Sequence, residues 1–395
     1  MVESRLTGSV RVVGVGLLGT SIALGLRARG VDVILSDSSP TNVSIAIDYG
    51  AGRSASDADE PQLIVVCVPP DVTASVIVRE LSAYPRAVVT DVASVKKPVL
   101  DAVITAGADV TRYVGSHPLA GREKGGPMSG RADLFLGRPW VVAGHSAISY
   151  QTAAAVDDLI LDLGATLVEM TAEEHDQSVA LVSHAPQVVS SLMARRLVSA
   201  PDAAVGLAGG GLRDVTRIAA SDPALWVQIL GANAAPTAEV LRGLRADLDE
   251  VLVALDGAAS AGVDTGAGAV APAARADRSV PVGSGSDAPT STPTPIGWRR
   301  MLAQTLAGGN AGVARLPGKH GQDKRYAQLV VMVDDTPGEL ARLLTEMGEA
   351  GVNLEDLRLE HSPGAQIGLA EISVLPEAVE RLTAELNARG WRIAG

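Results

Sequence analysis

Apolar and polar positions divide the chain into zones with different periods. Ser9–Gly16 (SVRVVGVG) carries no charge after Arg11, the pattern of a strand buried on both faces. LLGTSIALGLRARG follows with helical spacing and Gly30 at its C-terminal cap. Val31–Asp37, Leu63–Pro70, Ala87–Ser94, Thr111–Pro118, Arg138–Gly144 and Ala165–Met170 continue as apolar runs, most of them separated by helical patterns. Strands alternating with helices predict an α/β domain with a parallel, doubly wound sheet over residues 1–170.

From Thr171 the period changes. EEHDQSVALVSHAPQVVSSLMARRL is helical, interrupted by Pro186, and LRDVTRIAASDPALWVQILGANAAPTAEVLRGLRADLDEVLVAL is helical again. Asp222 before Pro223 reads as an N-cap followed by Pro at the first helical position. Residues 171–256 are therefore an all-α unit. Residues 257–295 are Ala, Gly, Ser, Thr and Pro without an aromatic residue, and are expected to be a disordered linker extending toward residue 325. Residues 296–325 are ambiguous, with docking onto the last domain as one alternative. Residues 326–395 give strand, helix, two strands around Pro363-Gly364, helix and a short last strand. That βαββαβ order is the ferredoxin-like α+β arrangement. Its first helix is expected to open with a capping box from Thr336 to Glu339, with Pro337 at the first position.

Composition narrows the class. At 47% hydrophobic and 20% charged residues the 395-residue chain can bury several cores, but with 3% aromatics these are built from Val, Leu, Ile and Ala. A formal charge of -12 (33 Lys+Arg against 45 Asp+Glu) argues against a nucleic-acid partner. The single cysteine, Cys67, excludes an intramolecular disulfide and a Cys-based zinc site; it reads as a packed, inert thiol, and no metal is expected. No apolar run reaches about 18 residues, and the N-terminus lacks the pattern of a signal peptide. The expected compartment is the cytoplasm, with no membrane partner.

Gly14, Gly16 and Gly19 form G-x-G-x-x-G between a strand and a helix. Gly14 permits the tight turn, Gly16 lets the backbone approach a pyrophosphate, and Gly19 brings helix and sheet together. The helix N-terminus at Leu17 and Leu18 then offers free N–H groups to phosphate. Asp37 ends the second strand, where a carboxylate accepts from ribose hydroxyls and repels a 2′-phosphate; Ser38 and Ser39 bring no positive charge to hold one. NAD is therefore expected in preference to NADP, with Val68 and Pro69 also on the cofactor surface.

GSHPLAGREKGG (115–126) sits at the carboxyl end of a strand, where open α/β sheets place ligands. His117 is expected to project into that crevice. Asp176, Ser183 and Gln187 fall on one helical stripe, which faces either solvent or a cleft. Arg217 stands among apolar neighbours; it is either a surface ion-pair former or a guanidinium fork for a carboxylate. Trp226 is more often core than ligand contact.

Together, GVGLLGTSIALGL, DVASVKKP, GSHPLAGREKGG, HDQSVALVSHAPQ and GGGLRDVTRIAASDPALW resemble the prephenate/arogenate dehydrogenase family of tyrosine biosynthesis, over most of residues 9–255. DDTPGELARLL and AGVNLED resemble the amino-acid-sensing ACT domain. The resemblance implies a Rossmann-type domain, an all-α dimerisation domain and a homodimer. It implies an NAD-dependent oxidative decarboxylation of prephenate to 4-hydroxyphenylpyruvate. His117 is then the proton acceptor for the ring hydroxyl, with Ser94 sharing that hydroxyl or capping a helix. Arg217 binds a substrate carboxylate, Ser183 and His184 line the pocket, and Glu123 and Asp176 sit near its mouth. Trp226 reaches the partner subunit's site. Many family members specific for prephenate have histidine where this chain has Gln187, and a glutamine carbonyl can accept from the ammonium of arogenate, which makes arogenate the alternative substrate. The ACT resemblance implies tyrosine or a related amino acid as effector, with Asp334, Gly338 and Asn353 as candidate contacts.

Two other classes compete. Other Rossmann enzymes with a helical second domain commonly use a catalytic lysine there, and this chain has no Lys between Lys124 and Lys319. A non-enzymatic NAD and amino-acid sensor would not need His117, Ser183 and Arg217 beside one cleft.

Overall fold

The computed structural model describes residues 4–120, 125–262, 297–316, 326–361 and 367–394. The chain divides into two compact units: residues 1–206 with 212–243, and residues 207–211 with 244–395.

The first unit is built on an eight-stranded sheet: β1 (Val10–Val13), β2 (Val33–Ser36), β3 (Arg53–Ser54), β4 (Leu63–Val66), β5 (Val88–Asp91), β6 (Tyr113–Pro118), β7 (Pro139–Gly144) and β8 (Thr166–Thr171). Their order is β3-β2-β1-β4-β5-β6-β7-β8. Helices α1 (Leu17–Arg27), α2 (Pro40–Asp48), α3 (Pro70–Ala83), α4 (Lys97–Thr105) and α5 (Tyr150–Asp162) lie between the strands. β1, β4 and β5 are almost wholly buried, as strands covered on both faces must be, even where they carry Arg11, Thr90 and Asp91. β1 and β4 are neighbours, so the strand order reverses between them and opens the crevice where such sheets bind ligands.

The sheet is not parallel throughout. β7 pairs antiparallel with β6, and β8 follows β7, so the last two strands run against the others. Parallel pairing needs a helical crossover. The described residues between β6 and β7 hold only a 3-10 turn at Pro127–Ser129.

Beyond β8 come α6 (Ala172–Val179), α7 (Ala185–Arg196), α8 (Asp202–Val205), α9 (Gly210–Thr216), α10 (Pro223–Ala232) and α11 (Ala234–Gly262). No described residue between Thr171 and Asp256 forms a strand. Asp222 caps α10 through Ala224 N, with Pro223 at its start. Residues 180–184 form a π-helical turn in which Ala185 N–H bonds to Ala180 O. Pro186 lacks an N–H and its ring crowds the preceding turn, so widening that turn lets the helix continue through it.

In the second unit, α11 continues to Gly262, past the expected boundary at 256, and α12 (Trp298–Val313) forms in the stretch 296–325 that the sequence left ambiguous. Residues 263–296 and 317–325 lie outside the described residues. β9 (Ala327–Asp334), α13 (Glu339–Glu349), β10 (Asp356–His361), β11 (Ile367–Val374), α14 (Val379–Ala388) and β12 (Arg392–Ala394) form a four-stranded antiparallel sheet in the order β10-β11-β9-β12. This is the expected ferredoxin-like order. The expected capping box does not form. Gly338, at φ +98°, turns the chain into a helix that starts at Glu339, with no side-chain cap. No described helix is long and apolar enough to cross a membrane.

Candidate active site

The glycine loop meets the requirements of a pyrophosphate cradle. A Cβ on Gly14 would lie 2.4 Å from Cys67 O, and one on Gly19 would lie 1.9 Å from Gly14 O. A Cβ on Gly16 would meet nothing within 4 Å. Gly14 and Gly19 are therefore demanded by the fold, and Gly16 by whatever approaches from outside. Gly16, Leu17 and Leu18 are the partly exposed residues of this otherwise buried turn, and no side chain caps α1. Its first-turn N–H groups stay available to an anion. Asp37 stands beside them: its carboxylate accepts from Val15 N (2.8 Å) and Ser39 N (2.8 Å), which holds it at the end of β2 with lone pairs left for ribose. Val68, just past β4, packs against Gly14, and Pro69 follows it at the start of α3. Burial pushes the Cys67 thiol pKa far up, so it is no nucleophile.

The glycines separate stability from binding. Gly19→Ala is expected to destabilise the first unit by about 1–3 kcal/mol or more in urea unfolding. Gly16→Ala should leave the unfolding midpoint in place and weaken NAD binding, which calorimetry would show.

His117 sits at the carboxyl end of β6, partly exposed. Beneath it lies a buried polar cluster. Lys96 forms a buried ion pair with Asp91 and donates to Ser116 O (2.8 Å). Asp91 also accepts from Tyr113 Oη (2.8 Å), and Ser116 Oγ is bonded by Trp140 Nε1 (3.0 Å). These bonds fix the strand immediately before His117. Beside it, His117 Nδ1 lies 2.9 Å from His175 Nε2, and His175 Nδ1 lies 2.7 Å from Asp176 Oδ1. Burial, then His175, Lys96 and His184, hold the His117 pKa well below the ordinary histidine value, so the ring is neutral at neutral pH and able to take a proton.

Several residues occupy places other than those expected. Asp176 is not at a pocket mouth: it is 3% exposed and its carboxylate caps α4, accepting from Lys96 N (2.8 Å) and Lys97 N (2.9 Å). Ser94 is therefore not the cap of α4; it lies in the loop between β5 and α4. His184 is buried rather than lining an open pocket. Its Nδ1 accepts from Asn233 Nδ2 (3.0 Å), which also donates to Asp176 O (2.7 Å), and burial lowers its pKa to about 4. Gln187 is buried too and donates to Ser221 Oγ (2.7 Å). The stripe of Asp176, Ser183 and Gln187 is broken, because the π-helical turn between them rotates the later residues; only Ser183 remains partly exposed. Trp226 packs edge-on against His184 of its own chain, ring centres 6.1 Å apart. Arg217 is exposed on a 3-10 turn (Arg217–Ala219), and its guanidinium has no ion-pair or hydrogen-bond partner among the described residues. Among the described residues no hydrogen bond or ion pair joins its guanidinium to His117. Glu123 lies outside the described residues.

Sequence reasoning missed His175, Lys96 and Asn233. The one available signal was the His175-Asp176 pair itself, a histidine beside a carboxylate in the helix following the last strand of the sheet.

A nucleotide cradle at the strand switch point, with a neutral histidine at the carboxyl end of β6 in the same sheet, fits a dinucleotide-dependent oxidoreductase. Two family descriptions match the chain: the prephenate dehydrogenase nucleotide-binding domain over residues 22–169, and the prephenate dehydrogenase dimerization domain over residues 171–260. A probable prephenate dehydrogenase, NovF, from Streptomyces niveus is 34% identical over 96% of this chain and 98% of its own. Prephenate dehydrogenase from A. aeolicus, solved with hydroxyphenyl propionate and NAD+, is 26% identical with a TM-score of 0.60, over 65% of this chain and 94% of that one. Synechocystis arogenate dehydrogenase is 26% identical with a TM-score of 0.55, over 63% and 92%. The chain belongs to the prephenate dehydrogenase family.

Proposed function

We propose that this protein is an NAD-dependent prephenate dehydrogenase, converting prephenate to 4-hydroxyphenylpyruvate and carbon dioxide. The observation that carries the reading is the neutral His117 at the end of β6, in the same unit as the glycine cradle, within a chain of this family. Gly14, Gly16, Leu17, Leu18, Gly19 and Asp37 hold NAD, with Val68 and Pro69 beside them. Bound NAD supplies a hydride acceptor for the ring carbon that bears the hydroxyl. His117 accepts the hydroxyl proton as that carbon loses its hydride. Cleavage of the ring–carboxylate bond releases carbon dioxide and leaves its electron pair to the aromatic ring, and His117 returns the proton to the ring oxygen. No net proton is consumed. Ser94 shares the hydroxyl.

Arg217 binds a substrate carboxylate; its lack of an internal partner supports this. Arg217→Ala is expected to raise KM for prephenate about tenfold or more, with kcat changed less. Initial rates of NADH formation at 340 nm would show it, and an unchanged KM would remove the role. The arogenate reading is not favoured. The Gln187 amide is buried and bonded to Ser221, and the relative matched along nearly the whole chain is a probable prephenate dehydrogenase. The same assay with arogenate tests this: kcat/KM higher for arogenate than for prephenate would reverse the choice.

Assembly is as a homodimer through the helical part. The match to a dimerization domain supports this, as do Leu181, Val182, Leu192 and Val227, large apolar side chains exposed on the helices of the first unit. The C-terminal unit is an ACT-like sensing module, supported by its βαββαβ order and the strand order of its sheet. Its three candidate effector residues do not converge within one chain. Asp334 and Gly338 lie where β9 ends, whereas Asn353 precedes β10 at the opposite end of the sheet, where Asp356 and Gln328 both pair with Ser373. About six strand residues, roughly 20 Å, separate the two ends. A ligand touching all three therefore needs two copies of the unit. Calorimetric titration of the full chain should give heat with tyrosine. No heat with tyrosine, phenylalanine or tryptophan would remove the sensing role.

A further inference from the structure

We propose that His175 is the positioning residue of this site: held by Asp176, it keeps the proton of His117 on Nδ1 and leaves Nε2 bare as the atom that takes the substrate's hydroxyl proton. Three polar contacts fix the protons. The Asp176 carboxylate already accepts from Lys96 N and Lys97 N, so it is an ionised acceptor anchored to the start of α4. A carboxylate cannot donate, so the 2.7 Å contact to His175 Nδ1 places a proton on that nitrogen. In the neutral ring, Nε2 then carries a lone pair, which faces His117 Nδ1 at 2.9 Å. Two lone pairs do not meet at that distance, so His117 Nδ1 donates. A neutral His117 with its proton on Nδ1 presents a bare Nε2.

The same chain also serves the charged form. When His117 takes the substrate's proton, its Nδ1–H bond to His175 becomes charge-assisted, and the Asp176 charge is felt through the His175 ring. Every other ionisable group acting on His117, namely Lys96, His184 and His175 itself, pushes it toward neutrality. Asp176 is thus the counterweight that lets a burial-depressed base accept a proton transiently and give it back. Asn233 braces the arrangement by donating to Asp176 O and to His184. His175 is wholly buried, so it touches no substrate and acts only through His117.

The kinetic arm of the test rests on the proposed reaction; the spectroscopic arm does not. In the full chain with 15N-labelled histidine, long-range proton–nitrogen spectra should show both His117 and His175 protonated at Nδ1 and bare at Nε2, with His117→Asn and His175→Gln assigning the signals. A proton on Nε2 of His117 in the resting protein would overturn the proposal, whatever the turnover. In the kinetic arm, His175→Phe should lower kcat for prephenate about 10²-fold with KM within about twofold. His175→Gln has a carbonyl to accept from His117 and an amide to donate to Asp176, and should return kcat to within about tenfold of wild type. Equal kcat in the Phe and Gln variants contradicts the proposal, because a merely space-filling residue would not distinguish them. A wild-type chain inactive on prephenate would remove the reaction and leave the tautomer result standing.

Discussion

His117→Asn is expected to lower kcat for prephenate by about 10²–10⁴-fold, the usual contribution of a positioned acid–base group. KM should change little, because the substitution removes an interaction that strengthens only as the hydroxyl gives up its proton. Asparagine is close in size to the proximal half of the ring, so β6 and the cluster behind it stay packed. It has no group that takes a proton at neutral pH. The wild-type pH profile carries the same information with the opposite experiment. Burial, His175, Lys96 and His184 all lower the His117 pKa, so the ring stays neutral as pH falls through the ordinary histidine value of about 6.5. Activity should persist below that value and fall only as pH drops through the lowered one. An acid limb in kcat/KM centred at or above about 6.5 would contradict the geometry of a desolvated base.

Lys96→Met is expected to cost about 3–5 kcal/mol, the penalty for leaving a buried charge without its partner. Asp91 would keep its Tyr113 bond and Ala93 N–H but lose the ammonium that offsets its charge in a wholly buried site. The thermal midpoint of the first unit should fall by about 10 °C. Burial pushes the Lys96 pKa down while Asp91 and Asp176 pull it up, so the pair survives only as a pair. Adding Asp91→Asn to Lys96→Met should therefore recover part of the loss, a coupling that thermal unfolding of the two single variants and the double variant would measure. Additive losses in the double variant would mean that the two groups do not depend on each other. The cluster also supports the backbone at Ser116, one residue before the proposed base, so the single variant should lose turnover along with stability.

Some of this was legible in the chain and some was not, for physical reasons. The glycine cradle and Asp37 could be read because each residue answers a local demand: a positive φ at Gly14, a helix pressed onto a carbonyl at Gly19, an open approach at Gly16. The βαββαβ order of the last unit followed from two periodicities and its turn residues. The direction of β7 and β8 was hidden, because a buried strand has the same apolar run whichever way it points. The π-helical turn was hidden as well. Pro186 announced a break but not how the helix would absorb it, and the rotation it introduces undid the stripe drawn from Asp176 to Gln187. Thr336 and Glu339 have the spacing of a capping box, yet the left-handed turn at Gly338 starts the helix too late for it. His175 is the instructive case. It reaches His117 across 58 positions of sequence, a contact no local pattern encodes.

Hydride removal and decarboxylation occur together on one substrate. The most direct measurement is the stoichiometry of products from prephenate and NAD+ with the purified protein. The expected result is one carbon dioxide and one 4-hydroxyphenylpyruvate for each NADH, all three suppressed together by His117→Asn. NADH formed without carbon dioxide, or no NADH from prephenate at saturating NAD+, would contradict it.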